Sequence, residues 1–254
     1  TLGNATDFGD LSGVRSNFSG TCSSTRGVTG GGRTPSQVSI VDLITFASTG
    51  NGQDFGDLTA ARDKAAGVSN SIRAIFCGGD TDGGPSNVNT IDYFNISGGG
   101  TATDFGDLTA ATRDFAGSSN GHGGLDFELP ESQRPSVTYM PGSGRGLVAG
   151  GDNPSNLATI DMLHIPTLGN ASDFGDLTAV QDGPGGNSSL TRAIAGGGNT
   201  PSNTNIIQSI EFATQGNAAD FGDLTSARDI PAGTSSTTRG VFGGGHSPSA
   251  VNII

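Results

Sequence analysis

Apolar residues along this chain fall in short runs of 5–9 positions, each closed by Gly, Pro, Asn or Ser. That is the grammar of strands and turns, and no window of about 11–18 residues carries the three-to-four-residue spacing of a helix. The runs recur in a fixed order of four. A small alternating segment comes first, as in 65–70 and 233–237. An Arg-led segment ending in glycines follows, as in 73–79 and 239–245. A β-branched segment is third (38–46, 88–96, 205–212), and the fourth carries Asp-Phe-Gly-Asp-Leu.

The order repeats five times. Asp-Phe-Gly-Asp-Leu stands at 7–11, 54–58, 104–108, 173–177 and 220–224, centred on Phe8, Phe55, Phe105, Phe174 and Phe221. The second segments start at Arg26, Arg73, Arg145, Arg192 and Arg239, and a Pro-Ser pair follows at Pro35, Pro85, Pro154, Pro201 and Pro248. From the motif Phe to the Arg is 18 residues in four repeats and 40 in the third, which therefore holds 22 extra residues at 121–142. The basic period is 47. Four strands in 45–50 residues suit one blade of a β-propeller.

Six residues follow Pro248 and Phe8 is the eighth residue, so joining the ends leaves 14 positions where 20 are regular. Read as a circle, the chain 1–254 is a single all-β domain, a five-bladed propeller of four-stranded blades. An N-terminal strand at 1–11 joins three C-terminal strands over 229–254, and closing the ring removes sheet edges. The small first strands (Ala65, Ala66, Gly67, Ser69; Ala116, Gly117, Ser118, Ser119) let backbones crowd a central channel. The glycine triplets 30–32, 196–198 and 243–245 serve the same close contact one strand further out. Each motif Phe fills a wedge between blades, worth about 2–3 kcal/mol when buried. Arg62 set against Asp57, and Arg228 against Asp223, read as repeated structural pairs.

Composition narrows what such a ring does. A net charge of −12 argues against nucleic acid and anionic membranes, and no apolar run reaches membrane-span length. No signal peptide opens the chain, and Thr1 falls inside a repeat, as expected of a piece of a longer or processed polypeptide. The two cysteines, Cys22 and Cys77, are expected to be free, buried and inert.

The glycine-rich second strand, the third strand ending in an apolar pair, and Phe-x-x-Leu followed by Arg together resemble kelch-type repeats. The resemblance spans the chain outside 121–142. The usual Trp is replaced by Phe, and Gln181 stands where Arg15, Arg62, Arg113 and Arg228 are expected. The fuller signature, Gly-Asn-Ala-x-Asp-Phe-Gly-Asp-Leu-Thr with Arg-Gly-Val-x-Gly-Gly-Gly, is similar to repeat proteins of tailed bacteriophages of marine bacteria. That resemblance implies a virion component: a tail-fibre, receptor-binding or capsid-decorating domain at the particle surface. Its partners would be other virion proteins or a host-surface glycan or protein.

Catalysis has little to stand on. His122, His164 and His246 lie in three different settings, and no metal-ligand spacing, phosphate loop or nucleophile elbow stands in the right context. The Tyr, Cys and His of a propeller copper oxidase are not gathered. The run Asp80-Thr81-Asp82-Gly83 lacks the rest of a Ca²⁺ loop. No enzyme activity and no cofactor or metal is expected. The insertion breaks the repeat, and His122, Phe127, Glu128, Glu131, Arg134 and Tyr139 within it form the expected contact surface. It falls between first and second strands, on the face opposite the usual ligand loops. The alternative function is a secreted, stand-alone multivalent lectin. Against it, the turns after the second strands differ: Arg33-Thr34, 80–84, Asp152-Asn153, Asn199-Thr200 and His246-Ser247. A diverged propeller hydrolase or oxidase is a remote third reading.

Overall fold

Successive segments of the repeat pair with their neighbours in chain order, which stacks each repeat as one small antiparallel sheet. A computed structural model describes residues 6–81, 86–120, 144–236 and 238–254. Blade I comprises Ser19–Cys22, Arg26–Gly30, Ile40–Thr45 and Gln53–Asp57. Blade II comprises Ala66–Ser69, Arg73–Cys77, Thr90–Asn95 and Thr103–Asp107. Blade III comprises Ala116–Ser119, Arg145–Ala149, Leu157–His164 and Ser172–Gln181. Blade IV comprises Gly185–Ser188, Arg192–Gly196, Ile206–Glu211 and Ala219–Asp223. Among the described residues there is no helix. The chain is all-β and arranged as a β-propeller.

The structure holds four blades, not the five that the repeat count predicts. The fifth repeat forms only a two-stranded sheet, Ala232–Ser235 with Gly240–Gly243. Residues 6–11 join no C-terminal strand; the Phe8 and Asp10 carbonyls instead accept the Gly50 and Gly52 amides of blade I. The reason is register. Ile253 occupies the place of Ile206, since its carbonyl takes the Gly244 amide as that of Ile206 takes the Gly197 amide. Ile253 thus stands where the third strand begins in the other blades.

The Asp-Phe-Gly-Asp motif is a β-bulge. In blade IV, Ile207 stands opposite Gly222 and Gln208 opposite Asp220, so Phe221 is the unpaired residue. The same shift skips Phe55 and Phe105. The first aspartate caps the bulge, accepting the glycine amide (Gly56 N to Asp54 Oδ1, 3.1 Å). Gly56 has φ 140°, and a Cβ there would run into the Gly100 backbone. Only glycine serves at that point.

The bulge aims each Phe at the following blade, and three apolar wedges form there. Val28, Leu58, Phe76 and Phe94 join blades I and II; Ile75, Phe105, Leu163 and Ile165 join II and III; Leu147, Phe174, Ile210 and Phe212 join III and IV. Phe105 and Phe174 are buried and Phe55 partly so, but Phe8 (39%) and Phe221 (52%) are exposed. The cysteines are free as expected; Cys77 is buried, with its thiol pushed up to about 12 by burial, whereas Cys22, at the end of the first strand of blade I, is exposed and not buried as expected.

First strands pack through glycine. A Cβ on Gly67 would lie 2.5 Å from the Gly20 carbonyl oxygen, and one on Gly117 2.6 Å from that of Gly67. Gly186 meets Gly117 and Gly233 meets Gly186 in the same way. Serine hydroxyls bridge the same strands, with Ser69 Oγ donating to the Cys22 carbonyl (2.6 Å) and Ser188 Oγ to that of Ser119 (2.8 Å). The relay stops at Gly20, whose Cβ position faces open space. The ring is open between the fifth repeat and blade I.

Candidate functional site: blade joints and the channel mouth

The residues repeated most often make the joints. Arg62 donates Nη2 to Asp92 Oδ2 at 2.7 Å, and both side chains are buried. Arg15 meets Asp42 at 3.0 Å in the same way. The acid therefore comes from the third strand, and the expected pairing of Arg62 with Asp57 is replaced by Arg62 with Asp92. Burial lowers the pKa of Arg62, and Asp92 opposes the shift. Counting from the motif Phe, the same position is Thr112 in blade III, Gln181 in blade IV and Arg228 in the fifth repeat. Gln181 faces Gln208, which replaces the acid, and Gln208 Nε2 donates to Gln181 Oε1 at 2.7 Å. Asp161 faces Thr112 with no arginine; burial pushes its carboxyl up, and Thr109 supplies the hydrogen bonds that pull it down.

The second-strand arginines tie one blade to the next. Arg26 Nη1 donates to the Ile96 carbonyl (2.8 Å), Arg73 to that of Ile165 (2.7 Å), and Arg145 to that of Phe212. Arg192 turns instead to Glu211 at 2.7 Å, with its guanidinium 5.5 Å from the Phe221 ring centre, and Arg239 is exposed. This role explains why arginine opens the strand. Lysine has no planar fork to reach past a third strand.

At one end of the channel the blades meet in a collar. Asn17, Lys64, Asp114 and Ile230 have φ between 48° and 57°, and Gly183 at the equivalent position has φ 63°. Such φ values cost a β-branched residue most, so the Ile230 backbone is held by its neighbours. Each amide donates to the preceding carbonyl: Lys64 to Asn17 (2.9 Å), Asp114 to Lys64 (3.1 Å), Gly183 to Asp114 (2.7 Å), Ile230 to Gly183 (2.9 Å).

Charge gathers on this collar. Lys64 Nζ binds Asp114 Oδ2 at 2.6 Å; Arg113 bridges Asp80 (2.8 Å) and Asp152 (3.0 Å); Arg33 reaches Asp63 at 3.3 Å. Arg113 does not fill the wedge position expected of it: one extra residue after Phe105 delivers it to the rim and leaves Thr112 inside. The rim thus varies around the ring, with Arg33, Asp80, Asp152, Asn199 and His246 at equivalent points and only aspartate occurring twice. His246 stands 3.8 Å from Asp229, and His164 lies elsewhere, on the third strand of blade III, its Nδ1 2.9 Å from Thr167 Oγ1. Among the described residues no three His, Cys, Asp or Glu side chains are placed to hold a metal. His122, Phe127, Glu128, Glu131, Arg134 and Tyr139 lie outside the described residues. The motif aspartates sit on outer strands and form no ring at the mouth. Sequence reasoning missed the collar, although its signal is there: the ninth residue after each motif Phe is Asn, Lys, Asp, Gly or Ile.

Asp182 is the rim group that titrates furthest from its ordinary range. Burial, then the Asp114 and Asp152 carboxylates, push it up to about 6. An unfolded aspartate loses its proton near pH 3.9. Between about pH 4 and 6 the fold therefore holds a proton that the unfolded chain has released, and this group's contribution to stability falls through that window as pH rises. Asp182→Asn is expected to raise the thermal midpoint at pH 8 and to leave it near the parent value at pH 4. An equal difference at both pH values would show that charge is not the cause.

The Lys64–Asp114–Arg113 arc and its neighbours make a mixed-charge surface that offers hydrogen bonds in both senses, on a rigid frame whose own polar groups are used in the joints. No protein-family model matches this chain, and no curated protein matches it significantly.

Proposed function

We propose that this protein is a non-enzymatic propeller of kelch type that works by contact, as a structural or adhesive component of a tailed-phage particle. One observation carries the reading: the residues repeated from blade to blade are consumed in joints, and the residues that vary are on display. Arg26, Arg73 and Arg145 end on neighbouring carbonyls and Arg15 and Arg62 on buried acids. The rim, in contrast, presents four kinds of side chain at its five equivalent points, with only aspartate repeated. A catalyst gathers unlike groups on one reacting atom; a contact surface spreads them, as here. The varied rim also favours one asymmetric partner over five identical sugar sites.

The insertion 121–142, expected from its place in the repeat on the face opposite the usual ligand loops, is the second half of the proposed contact surface. The other blades join first and second strands by short turns, as between Ser69 and Arg73. Replacing 121–142 with such a turn is expected to leave the thermal midpoint within a few degrees of the parent. It should abolish attachment to purified tailed-phage particles or to their bacterial hosts, measured by co-sedimentation. Attachment that survives the replacement would remove the insertion from the reading, and no attachment by the parent chain would remove the reading itself.

A further inference from the structure

We infer that the joint between blades II and III holds a socket for a guanidinium group from outside the chain, carried by a small molecule or by an arginine of a partner polypeptide. The socket is built from the residue positions that hold an arginine at the neighbouring joint, and here the arginine has been displaced.

Its acceptors are read from that neighbour. Arg62 gives Nη2 to Asp92 at 2.7 Å, and its two terminal nitrogens reach the Thr90 carbonyl at 3.2 Å and the Phe76 carbonyl at 3.4 Å. Strand register carries each acceptor one blade on. Asp161 stands opposite Val148 as Asp92 stands opposite Phe76. The Thr159 carbonyl takes the Gly150 amide as that of Thr90 takes the Gly78 amide. The two carboxylates are even held in one pose: Thr59 and Thr109 each donate an amide (2.9 Å in both) and a hydroxyl (2.7 and 2.6 Å).

What is missing is the cation. Thr112 stands where Arg62 stands, and Arg113, one residue later, is spent on Asp80 and Asp152 at the rim. Asp161 is 6% exposed, and among the described residues no cationic side chain meets it. A carboxylate buried without a counter-charge is unfavourable, so the place selects a cation.

A cavity marks the place. Val148, Thr159 and Asp161 line it, together with Thr112 and Phe115. It offers about 20 Å³ to the centres of incoming atoms. A planar guanidinium, whose nitrogens stand about 1.33 Å from its carbon, fits such a space. Phe115 adds an aromatic face. It is the tenth residue after its motif Phe, as Phe18 is, and the Arg15 guanidinium lies 5.8 Å from the Phe18 ring centre. The way in passes exposed Thr109 and half-buried Leu157. One carboxylate and two carbonyls around a ring suit a flat fork of donors better than a point charge.

The test is an NMR titration of the isotope-labelled chain with methylguanidinium chloride at constant ionic strength. The Thr109 and Thr59 amides, on Asp161 and Asp92, are the reporters. A saturable shift of Thr109 is expected, with Thr59 unmoved because Arg62 already fills its joint. Tetramethylammonium, a cation without donors, should move neither. Asp161→Asn is expected to weaken binding at least about tenfold. Thr112→Arg should abolish it by filling the socket from within, and an unchanged Thr59 amide shows that each variant is folded. The tripeptide acetyl-Gly-Arg-Gly-amide separates the two sources. A Thr109 shift with both probes admits a partner's arginine; a shift with methylguanidinium alone restricts the ligand to a small molecule. No Thr109 shift with either probe, equal shifts at Thr109 and Thr59, an equal response to tetramethylammonium, or undiminished binding by folded Thr112→Arg overturns the inference.

Discussion

Asp92→Ala is expected to lower the free energy of unfolding by about 3–5 kcal/mol, the usual result of removing one partner from a buried ion pair. Asp92 and Arg62 are both buried in the joint between blades I and II, and the carboxylate also accepts the Thr59 amide and hydroxyl. Truncation leaves a guanidinium that water cannot reach. The more telling variant is the double replacement Arg62→Gln with Asp92→Gln. Blade IV already runs the same joint on Gln181 and Gln208, with the Thr178 amide on Gln208 at 2.6 Å where Thr59 meets Asp92 at 2.9 Å. The double variant is therefore expected to recover most of the loss, to within about 1–2 kcal/mol of the parent. Urea midpoints of the parent, single and double variants decide it. A double variant no better than Asp92→Ala would mean that the two joints are not equivalent.

Gly117→Ala and Gly20→Ala are expected to differ in sign, although the two residues occupy the same place in the repeat. A methyl on Gly117 would stand 2.6 Å from the Gly67 carbonyl oxygen, and both are backbone-bound, so blades II and III must separate. Overpacking of this kind costs about 1–3 kcal/mol or more. A methyl on Gly20 meets nothing within 4 Å. There the loss of unfolded-chain freedom dominates, and a gain of about 0.4–1 kcal/mol is expected. The comparison reads the seam directly: equal destabilisation at both sites would mean that the ring is closed in solution.

Much of the architecture was legible because it is repeated. Counting residues between Phe, Arg and Pro gives the period, the four strands per repeat and the small residues of the first strand. What escaped were contacts that pair distant positions. Asp57 is five residues from Arg62 and Asp92 is thirty, and sequence proximity favoured the wrong one. Nothing in Asp-Phe-Gly-Asp-Leu announces a bulge until the strand opposite is known. The place of Ile253 in the repeat was countable, but only the Gly244–Ile253 hydrogen bond sets it level with Ile206. The displacement of Arg113 was countable and overlooked: it stands eight residues after its Phe, where Arg62 stands seven. The rim stayed hidden for the opposite reason. Its residues change around the ring, with only aspartate recurring, so no repeat pattern marks them.

The collar of amide bonds has a further consequence. Each amide from Lys64 to Ile230 donates backward to the preceding blade, so the relay has a direction, with the Asn17 carbonyl as its first acceptor and the Ile230 amide as its last donor. Mechanically the described blades form a row tied by backbone bonds that all point one way. Strain at one joint is passed along this row, and blade IV is gripped by blade III on one side and by the fifth repeat on the other.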